Sequence, residues 1–165
     1  MEIQPVRVEQ RQALADFASR IPDRDRSLVD APLLSQVAVA GWTQAVPERR
    51  LAALDDDGAV LGLVTVVRGV GWSSHVADMR VIVDPGARGR GVGRRLADQG
   101  LELAGELGMT KVMIEVMAGN TGALAMLGAL GFEEEARLRG QVRDSAGQMQ
   151  DLVLLSRWLE DRPAE

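Results

Sequence analysis

A segment rich in glycine and arginine is the part of this sequence best suited to bind a charged ligand. This glycine loop, Arg88–Gly93, reads Arg-Gly-Arg-Gly-Val-Gly and separates a Val- and Ile-rich stretch from a helical pattern. Glycines let a backbone approach a ligand closely, and a helix N-terminus offers unpaired N–H groups and a positive dipole end to phosphate. The segment therefore predicts a pyrophosphate cradle, to which four arginines add positive charge: Arg88, Arg90, Arg94 and Arg95.

Two familiar phosphate-binding patterns do not fit the glycine loop. A dinucleotide-binding Gly-x-Gly-x-x-Gly pattern needs glycine where Arg94 or Leu96 stands. A P-loop needs Lys followed by Ser or Thr where Val92 and Gly93 stand. The sequence thus supports neither ATP hydrolysis nor nicotinamide chemistry. The alternative without a ligand is a solvated Arg/Gly loop whose glycines cap the helix.

The surrounding patterns predict an α/β (α+β) chain in the order β-α-α-β-β-β-α-β-α-β-β. Period-2 and Val-rich segments between turn residues favour strands, and apolar residues at helical spacing favour helices. A strand, a crossover helix and a strand in sequence predict a parallel pair in an otherwise mostly antiparallel sheet of six to seven strands. The predicted strands are Ile3–Val6, Arg49–Leu54, Ala59–Arg68, Val76–Val83, Lys111–Val116, Phe132–Val142 and Met149–Trp158. The predicted helices, about four, are Glu9–Arg20, Leu33–Trp42, the stretch from Val92 to Leu107, and Thr121–Leu130.

The length and composition of the chain argue against several kinds of functional site and partner. The 165 residues suit one compact domain spanning residues 1–165. The chain has no cysteine, which excludes a disulfide, a thiol nucleophile and a Cys-based zinc site and fits a reducing cytoplasm. The net charge of −5 and the aromatic content of 3% argue against nucleic acid as a partner, and no apolar run reaches membrane-span length. A single histidine makes a metal site unexpected.

Two ordered motifs resemble the GNAT N-acetyltransferases. Their acetyl-CoA motif, Arg/Gln-x-x-Gly-x-Gly/Ala, is matched by Arg88, Gly91 and Gly93. Further along, Asn120–Ala123 followed by Leu130–Phe132 is similar to the family's Asn-x-x-Ala and Leu-Gly-Phe motif. The resemblance covers the chain from about Ala59 onward. It implies a GNAT-like acyl-CoA N-acyltransferase fold, with acetyl-CoA as cosubstrate and an amine as acceptor.

The resemblance also implies which residues hold the cofactor. In this family the backbone of the strand before the loop binds the pantetheine arm, which points to Val81 and Val83. The loop amides would hold the pyrophosphate, and Asn120 would contact the pantetheine or position the thioester. A helix N-cap is the simpler role for Asn120. The implied pyrophosphate-binding residues are Arg88, Gly89, Arg90, Gly91, Val92, Gly93 and Arg94.

Acetyl transfer to an amine requires a group that takes a proton, and the sequence offers two carboxylates for this role. Glu115 lies between apolar residues in a strand that resembles a segment of ribosomal-protein N-terminal acetyltransferases, where a functional Glu stands. Asp78 lies in the strand before the glycine loop, and many relatives carry an acidic residue at or within one position of it. Each carboxylate has the alternative of a structural ion pair or a solvated position.

Other polar and aromatic residues are weaker candidates. We expect His75, the single histidine, to be structural or exposed, and Trp42 and Trp72 to pack in the core rather than line an acceptor pocket. Asp151 resembles an acidic residue that many relatives carry there, and it is a candidate for binding a cationic amine.

The resemblance also implies a proton donor for the CoA thiolate that leaves after acetyl transfer, and this sequence lacks the usual one. Many relatives place a Tyr after the Asn motif to protonate the thiolate, and Leu127 stands at that position in a chain without any Tyr. Three functions compete: an N-acetyltransferase acting on a small molecule, amino acid or protein N-terminus; a degenerate CoA-binding sensor or interaction module; and a domain that binds no CoA. A homodimer is common in the family and is compatible with this sequence.

Overall fold

The computed structural model describes residues 1–22, 48–144 and 146–160. The chain begins with strand β1 (Glu2–Pro5), a 3₁₀ turn (Val8–Gln10) and helix α1 (Arg11–Arg20). Strands β2 (Glu48–Leu54), β3 (Val60–Arg68) and β4 (Val76–Val83) come next. Helix α2 (Val92–Glu106), strand β5 (Lys111–Met117), helix α3 (Thr121–Gly128) and strands β6 (Glu133–Arg143) and β7 (Met149–Trp158) complete the order.

Helix α1 is amphipathic, with apolar residues three to four positions apart on one side. Leu14, Phe17 and the following residue Ile21 are all at most 1% exposed. They form a core cluster with residues of β2 and β3: Ala52, Leu54, Val60 and Leu63. Burial of this stripe, rather than helix propensity, holds α1 against the strands.

The turn between β2 and β3 is a hairpin with the sequence Asp-Asp-Asp-Gly, whose last residues favour such turns. One side-chain oxygen of Asp55 accepts hydrogen bonds from the N–H groups of Asp57 at 3.0 Å and Ala59 at 2.8 Å. Gly58 has φ +83°, a left-handed conformation that glycine adopts without steric cost. Turn chemistry therefore sets the pairing of these two strands.

The β4–α2–β5 segment is the parallel crossover that the sequence predicts. The ladder between β4 and β5 is parallel and pairs Val76 with Lys111, Ala77 with Val112, and Asp78 with Met113. Strand β5 also pairs antiparallel with β7 along its whole length, from Lys111↔Trp158 to Met117↔Leu152.

Strand β6 is an outer strand that pairs only with β7 among the described strands. The ladder between them shifts register between Glu134 and Ala136 and again between Leu138 and Val142. The exposed positions of β6 are mainly charged, acidic over the first three residues and basic after them: Glu133, Glu134, Glu135, Arg137, Arg139 and Arg143.

The described strands form one sheet in the order β1-β2-β3-β4-β5-β7-β6. The sheet is mixed and mostly antiparallel, and the described residues contain three α-helices. The fold class predicted from the sequence is confirmed. The predicted helix Leu33–Trp42 lies outside the described residues.

The chain divides into two compact units. Unit 1 comprises Met1–Thr65 and Arg80–Ala97, and unit 2 comprises Val66–Met79 and Asp98–Glu165. Each unit contains part of the predicted site. A single domain over residues 1–165 stays a prediction.

Candidate functional site

In unit 1, the glycine loop has a backbone shape that only glycine adopts easily. Gly89 has φ +72° and Gly91 has φ +78°, in the region where an L-residue's Cβ crowds its own backbone. A Cβ built on either glycine would meet no heavy atom within 4 Å. The glycines are thus required by conformation rather than by packing, and the space beside them is open to a ligand.

Helix α2 starts directly after these glycines and runs for 15 residues. The Arg95 N–H donates to the Gly91 carbonyl at 3.1 Å, which starts the helical hydrogen-bond ladder. The first N–H groups of a helix have no carbonyl behind them, and those of Val92, Gly93 and Arg94 occupy these positions. The Val92 side chain is 2% exposed, so its packing fixes this end of the helix while the N–H groups remain available to an anion.

The end of β4 packs closely against the first turn of α2. A Cβ on Gly93 would lie 3.3 Å from Cγ2 of Val83, closer than most Cβ contacts. Val81 and Val83 are two residues apart on one side of the strand, and both are half-buried. Unit 1 therefore brings the implied pantetheine strand and the implied pyrophosphate loop together in one continuous segment.

Arg88, the arginine of the first motif, folds back over the end of β4. Its Nε and Nη2 both donate to the Val83 carbonyl at 3.4 Å, a distance at the weak end for hydrogen bonds. The side chain is exposed. Arg88 thus supports the loop at its first residue and carries its positive charge at the surface.

Asp84 anchors the loop entrance, and sequence reasoning missed it. Its carboxylate accepts hydrogen bonds from Arg20 and from the Gly86 N–H. Burial raises the pKa of Asp84, but the Arg20 and Gly86 hydrogen bonds and the charges of Arg20 and Arg88 outweigh it and hold the pKa below its ordinary value. Arg20 and Asp84 are 64 residues apart, and no local pattern links them.

In unit 2, Asn120 is the N-cap of α3. Its side-chain oxygen accepts from the Ala123 N–H at 3.2 Å, and its own N–H donates to the Met117 carbonyl at 2.8 Å. This capping confirms the simpler of the two roles expected for Asn120. A cofactor contact stays a prediction, and the exposed position of the residue leaves room for it.

The two candidate carboxylates lie on neighbouring strands of unit 2. Asp78 pairs with Met113 across the parallel ladder, and Glu115 follows Met113 by two residues on the same face of β5. Glu115 is exposed and Asp78 is half-buried. The printed pairing of β4 with β5 ends at Asp78 and Met113, one step before Glu115 on that face. The structure therefore brings the two carboxylates to one face of the sheet.

The position where relatives carry a tyrosine is a core position here. Leu127 is 1% exposed, and its carbonyl accepts from the N–H groups of Leu130 and Phe132 at 2.9 and 3.1 Å. An apolar side chain packed in this way cannot donate a proton to a thiolate.

The remaining polar and aromatic candidates agree with the predictions from sequence only in part. His75 is exposed, as expected. Asp151 is half-buried and accepts from the Gly140 N–H at 2.9 Å, and a role in amine binding stays a prediction. The expectation that Trp72 packs in the core is wrong, because its side chain is 100% exposed. Trp42 lies outside the described residues.

The reason for the exposure of Trp72 is the connection between β3 and β4. The Gly69 N–H donates to the Val76 carbonyl at 2.8 Å, which closes the strand pair there. Gly71, with φ +60°, then turns the chain into a 3₁₀ turn. Trp72 projects from this turn, beyond the sheet.

The described residues contain neither a metal-binding cluster nor a helix able to span a membrane. No group of three or more His, Asp or Glu residues is placed to hold a metal ion within residues 1–22, 48–144 and 146–160. In the same part of the chain, no helix has the length and apolar character needed to cross a bilayer.

Comparison with known proteins agrees with this geometry. Residues 15–132, well over half of the chain, match the acetyltransferase (GNAT) family. Over 78 residues the chain is 38% identical to an uncharacterized N-acetyltransferase of Methanocaldococcus jannaschii, a match that covers 44% of this chain and 34% of that protein. The chain therefore spans about a third of the length of this curated relative.

Two solved structures share the fold. A GCN5-related N-acetyltransferase from Kribbella flavida superposes with a TM-score of 0.81 and 25% identity over 96% of this chain and 97% of that one. The yncA protein of Salmonella typhimurium, solved with its cofactor acetyl-CoA, superposes with a TM-score of 0.81 and 18% identity over 99% of this chain and 96% of that one. The family match, the shared fold and the loop geometry agree, and the chain belongs to the acetyltransferase (GNAT) family.

Proposed function

We propose that this protein transfers the acetyl group of acetyl-CoA to a primary amine of a small molecule, an amino acid or a protein N-terminus, by direct attack in a ternary complex. The glycine loop carries the proposal. Its two left-handed glycines have open space beside them, and it leads into the N-terminus of a 15-residue helix.

The residues of unit 1 fit the diphosphate of CoA. The N–H groups from Gly89 to Arg94 would hold the phosphate oxygens, since a helix N-terminus favours negative charge. The exposed loop arginines add positive charge. The backbone of Val81 and Val83 would bind the amides of the pantetheine arm. A cofactor contact by Asn120 stays a prediction. No metal is needed for this binding.

Acetyl-CoA supplies the acetyl group as a reactive thioester. The reaction forms a bond from the amine nitrogen to the acetyl carbon, breaks the carbon–sulfur bond, and removes a proton from the nitrogen. An amine is largely protonated at neutral pH, so a base assists by taking that proton. We assign this role to Glu115 or Asp78, which lie on one face of neighbouring strands.

The departing thiolate must be protonated without a tyrosine. The chain contains no Tyr, and Leu127 is buried. We infer that water supplies this proton. The net charge of −5 favours a cationic acceptor through the overall field of the protein. A cytoplasmic location and a homodimer stay predictions.

A second candidate function is a CoA-binding sensor that does not catalyse transfer. The burial of Leu127 favours it, because the usual thiolate acid is absent while the glycine loop is retained. An acetyl-CoA turnover assay with pooled amines separates the two functions. Release of CoA that depends on an amine supports the transferase, whereas binding without release supports the sensor.

The first experiment is thermal unfolding with and without acetyl-CoA. A ligand at 100 times its Kd stabilises a protein by about 2.7 kcal/mol, which corresponds to a rise in Tm of about 5–10 °C for a domain of this size. The Gly91→Glu variant places a carboxylate in the loop and should abolish the shift. A matched control, Gly105→Glu, adds the same charge at an exposed position of α2 with open space beside it.

The expected result is a shift in the wild type and in Gly105→Glu, and none in Gly91→Glu. Equal shifts in all three proteins would place the cofactor elsewhere. The absence of a shift in the wild type at millimolar acetyl-CoA would contradict both the transferase and the sensor.

A further inference from the structure

An ion pair joins the last residue of α1 to the first residue after β4. Nε of Arg20 donates to Oδ2 of Asp84, and Nη2 donates to the Val60 carbonyl at 3.0 Å. The Asp84 side chain is 12% exposed and the Arg20 side chain 42%. Arg20 therefore links the end of α1 and the first residue of β3 to the segment that enters the glycine loop.

Each polar group of Asp84 has a partner. Its Oδ1 accepts from the Gly86 N–H at 2.8 Å, while its own N–H donates to the Leu61 carbonyl at 2.9 Å. Its carbonyl accepts from the Ala87 N–H, also at 2.9 Å. Ala87 immediately precedes Arg88, so the position of Asp84 determines where the loop begins. With Oδ2 bound by Arg20, Asp84 is fixed from four directions.

The charge of Asp84 matters because it lies close to an anion site. A carboxylate near a diphosphate would repel it, and such repulsion is weakly screened where the carboxylate is buried. Arg88 is close enough for its charge to act on Asp84. Without Arg20, the Asp84 carboxylate would keep its full negative charge beside the ligand. The positive charge of Arg20 reduces that repulsion.

We propose that Arg20 is a positioning residue for coenzyme A, which acts through Asp84 to fix the glycine loop and to offset the negative charge of that carboxylate near the diphosphate. This inference rests on the proposed function, because it assumes that the loop holds CoA. Arg20 itself touches neither the acetyl group nor the amine in this scheme. Its loss therefore affects the affinity for CoA and leaves the chemical step intact.

A merely structural role for Arg20 would have a different signature. A variant that is only less stable loses active fraction, which lowers binding stoichiometry and apparent kcat but leaves the Kd of the folded molecules unchanged. A positioning role raises the Kd for CoA at full stoichiometry. It also raises the KM for acetyl-CoA while kcat and the KM for the amine stay near their wild-type values.

The experiment is calorimetric titration of full-length protein with CoA, with folding checked by circular dichroism. Arg20→Met removes the charge and both hydrogen bonds, and we expect the Kd to rise about tenfold. Arg20→Lys keeps a positive charge beside the Asp84 carboxylate, and we expect its Kd for CoA to stay within about threefold of the wild-type value. The matched control is Arg11→Met, which removes an exposed arginine from the other end of α1 and should leave the Kd unchanged.

A double variant separates charge from position. If repulsion by Asp84 contributes, Arg20→Met combined with Asp84→Asn should recover part of the lost affinity, because the carboxylate charge is gone. Should Arg20→Met fail to fold, Arg20→Gln carries the test under the same expectation of a raised Kd.

A folded Arg20→Met or Arg20→Gln protein with the wild-type Kd would overturn this inference alone, provided that the wild type binds CoA and Gly91→Glu does not. Failure of the wild type to bind CoA, or wild-type binding by Gly91→Glu, would overturn the proposed cofactor site and this inference with it. The Gly91→Glu measurement therefore distinguishes the two failures.

Discussion

Asp78 lies diagonally across the parallel ladder from Glu115, on the same face of the sheet. The register that pairs Asp78 with Met113 fixes this relationship, since Glu115 is the next residue on that face of β5. Two carboxylates on one face of neighbouring strands can act on one amine, one accepting its proton and the other holding the cation. The exposed Glu115 is the better placed to receive a substrate from solvent, and Asp78 is half-buried.

Replacement of the base should lower kcat without weakening CoA binding. We expect Glu115→Gln to reduce kcat by about 10²–10⁴-fold, the usual contribution of a general base, while the Kd for CoA stays unchanged. Steady-state kinetics with a reactive amine checks this. The control is Glu133→Gln, which removes an exposed carboxylate from β6. A large decrease of kcat in Asp78→Asn, with none in Glu115→Gln, would assign the role of general base to Asp78 instead.

The left-handed glycines of the loop should resist replacement for conformational reasons. Gly89→Ala should lower the free energy of unfolding by about 1–2 kcal/mol, because alanine is strained at φ +72°. Gly105→Ala, at a helical position with open space and no left-handed φ, should raise it by about 0.5–1 kcal/mol. Urea unfolding of the two variants provides the comparison. Equal effects of the two substitutions would contradict this account of the loop.

Gly62 in β3 allows its neighbours to approach closely. A Cβ there would lie 2.7 Å from the Ile82 carbonyl oxygen and 2.8 Å from Cδ1 of Leu96. We expect Gly62→Ala to lower the free energy of unfolding by about 1–3 kcal/mol through overpacking, as measured by urea unfolding. Gly128→Ala is the control, because open space surrounds that position. Wild-type stability of Gly62→Ala would mean that β4 can move away without cost.

Acid should weaken the link made by Asp84. The pKa of Asp84 is lowered in the folded protein from its ordinary value of 3.8, so its contribution to stability is present above that value and is lost as the pH falls through the lower, folded pKa. At neutral pH we expect Asp84→Asn to lower the free energy of unfolding by about 1–3 kcal/mol, the contribution of hydrogen bonds to a charged group.

The difference in the free energy of unfolding between the wild type and Asp84→Asn should shrink at about pH 2, below the ordinary pKa of the carboxyl. Urea unfolding repeated at that pH measures it. The exposed turn residue Asp57 supplies the control, since Asp57→Asn removes the same charge without a buried partner. A difference that persists unchanged in acid would show that Asp84 acts through shape rather than charge.

Elements bounded by strong turn residues could be predicted from the sequence almost to the residue. Strand β4 ends at Val83, before Asp-Pro-Gly, and β7 begins at Met149, after the Asp144–Gly147 turn. Helix ends were predicted less closely. Helix α3 ends at Gly128 instead of Leu130, because the Leu130 N–H bonds to the carbonyl three residues back and tightens the last turn.

The candidate site was predictable where it is continuous in sequence. The glycine loop combines its signals within a few residues, so pattern and chemistry suffice to locate it. Two relationships are tertiary and could not be read from a pattern. The bond from Arg20 to Asp84 spans 64 residues, and the diagonal placement of Asp78 and Glu115 depends on a register that only the folded sheet sets.

The charged outer strand β6 also governs how molecules of this protein behave when they are crowded together. An 11-residue edge of flat, apolar character would present its N–H and C=O groups to the edge of another chain and start aggregation. Here two register shifts distort the ladder, and the exposed glutamates and arginines must lose water before any strand can dock. We expect the strand to serve as a solubility device, keeping concentrated protein dispersed while its inner side completes the sheet.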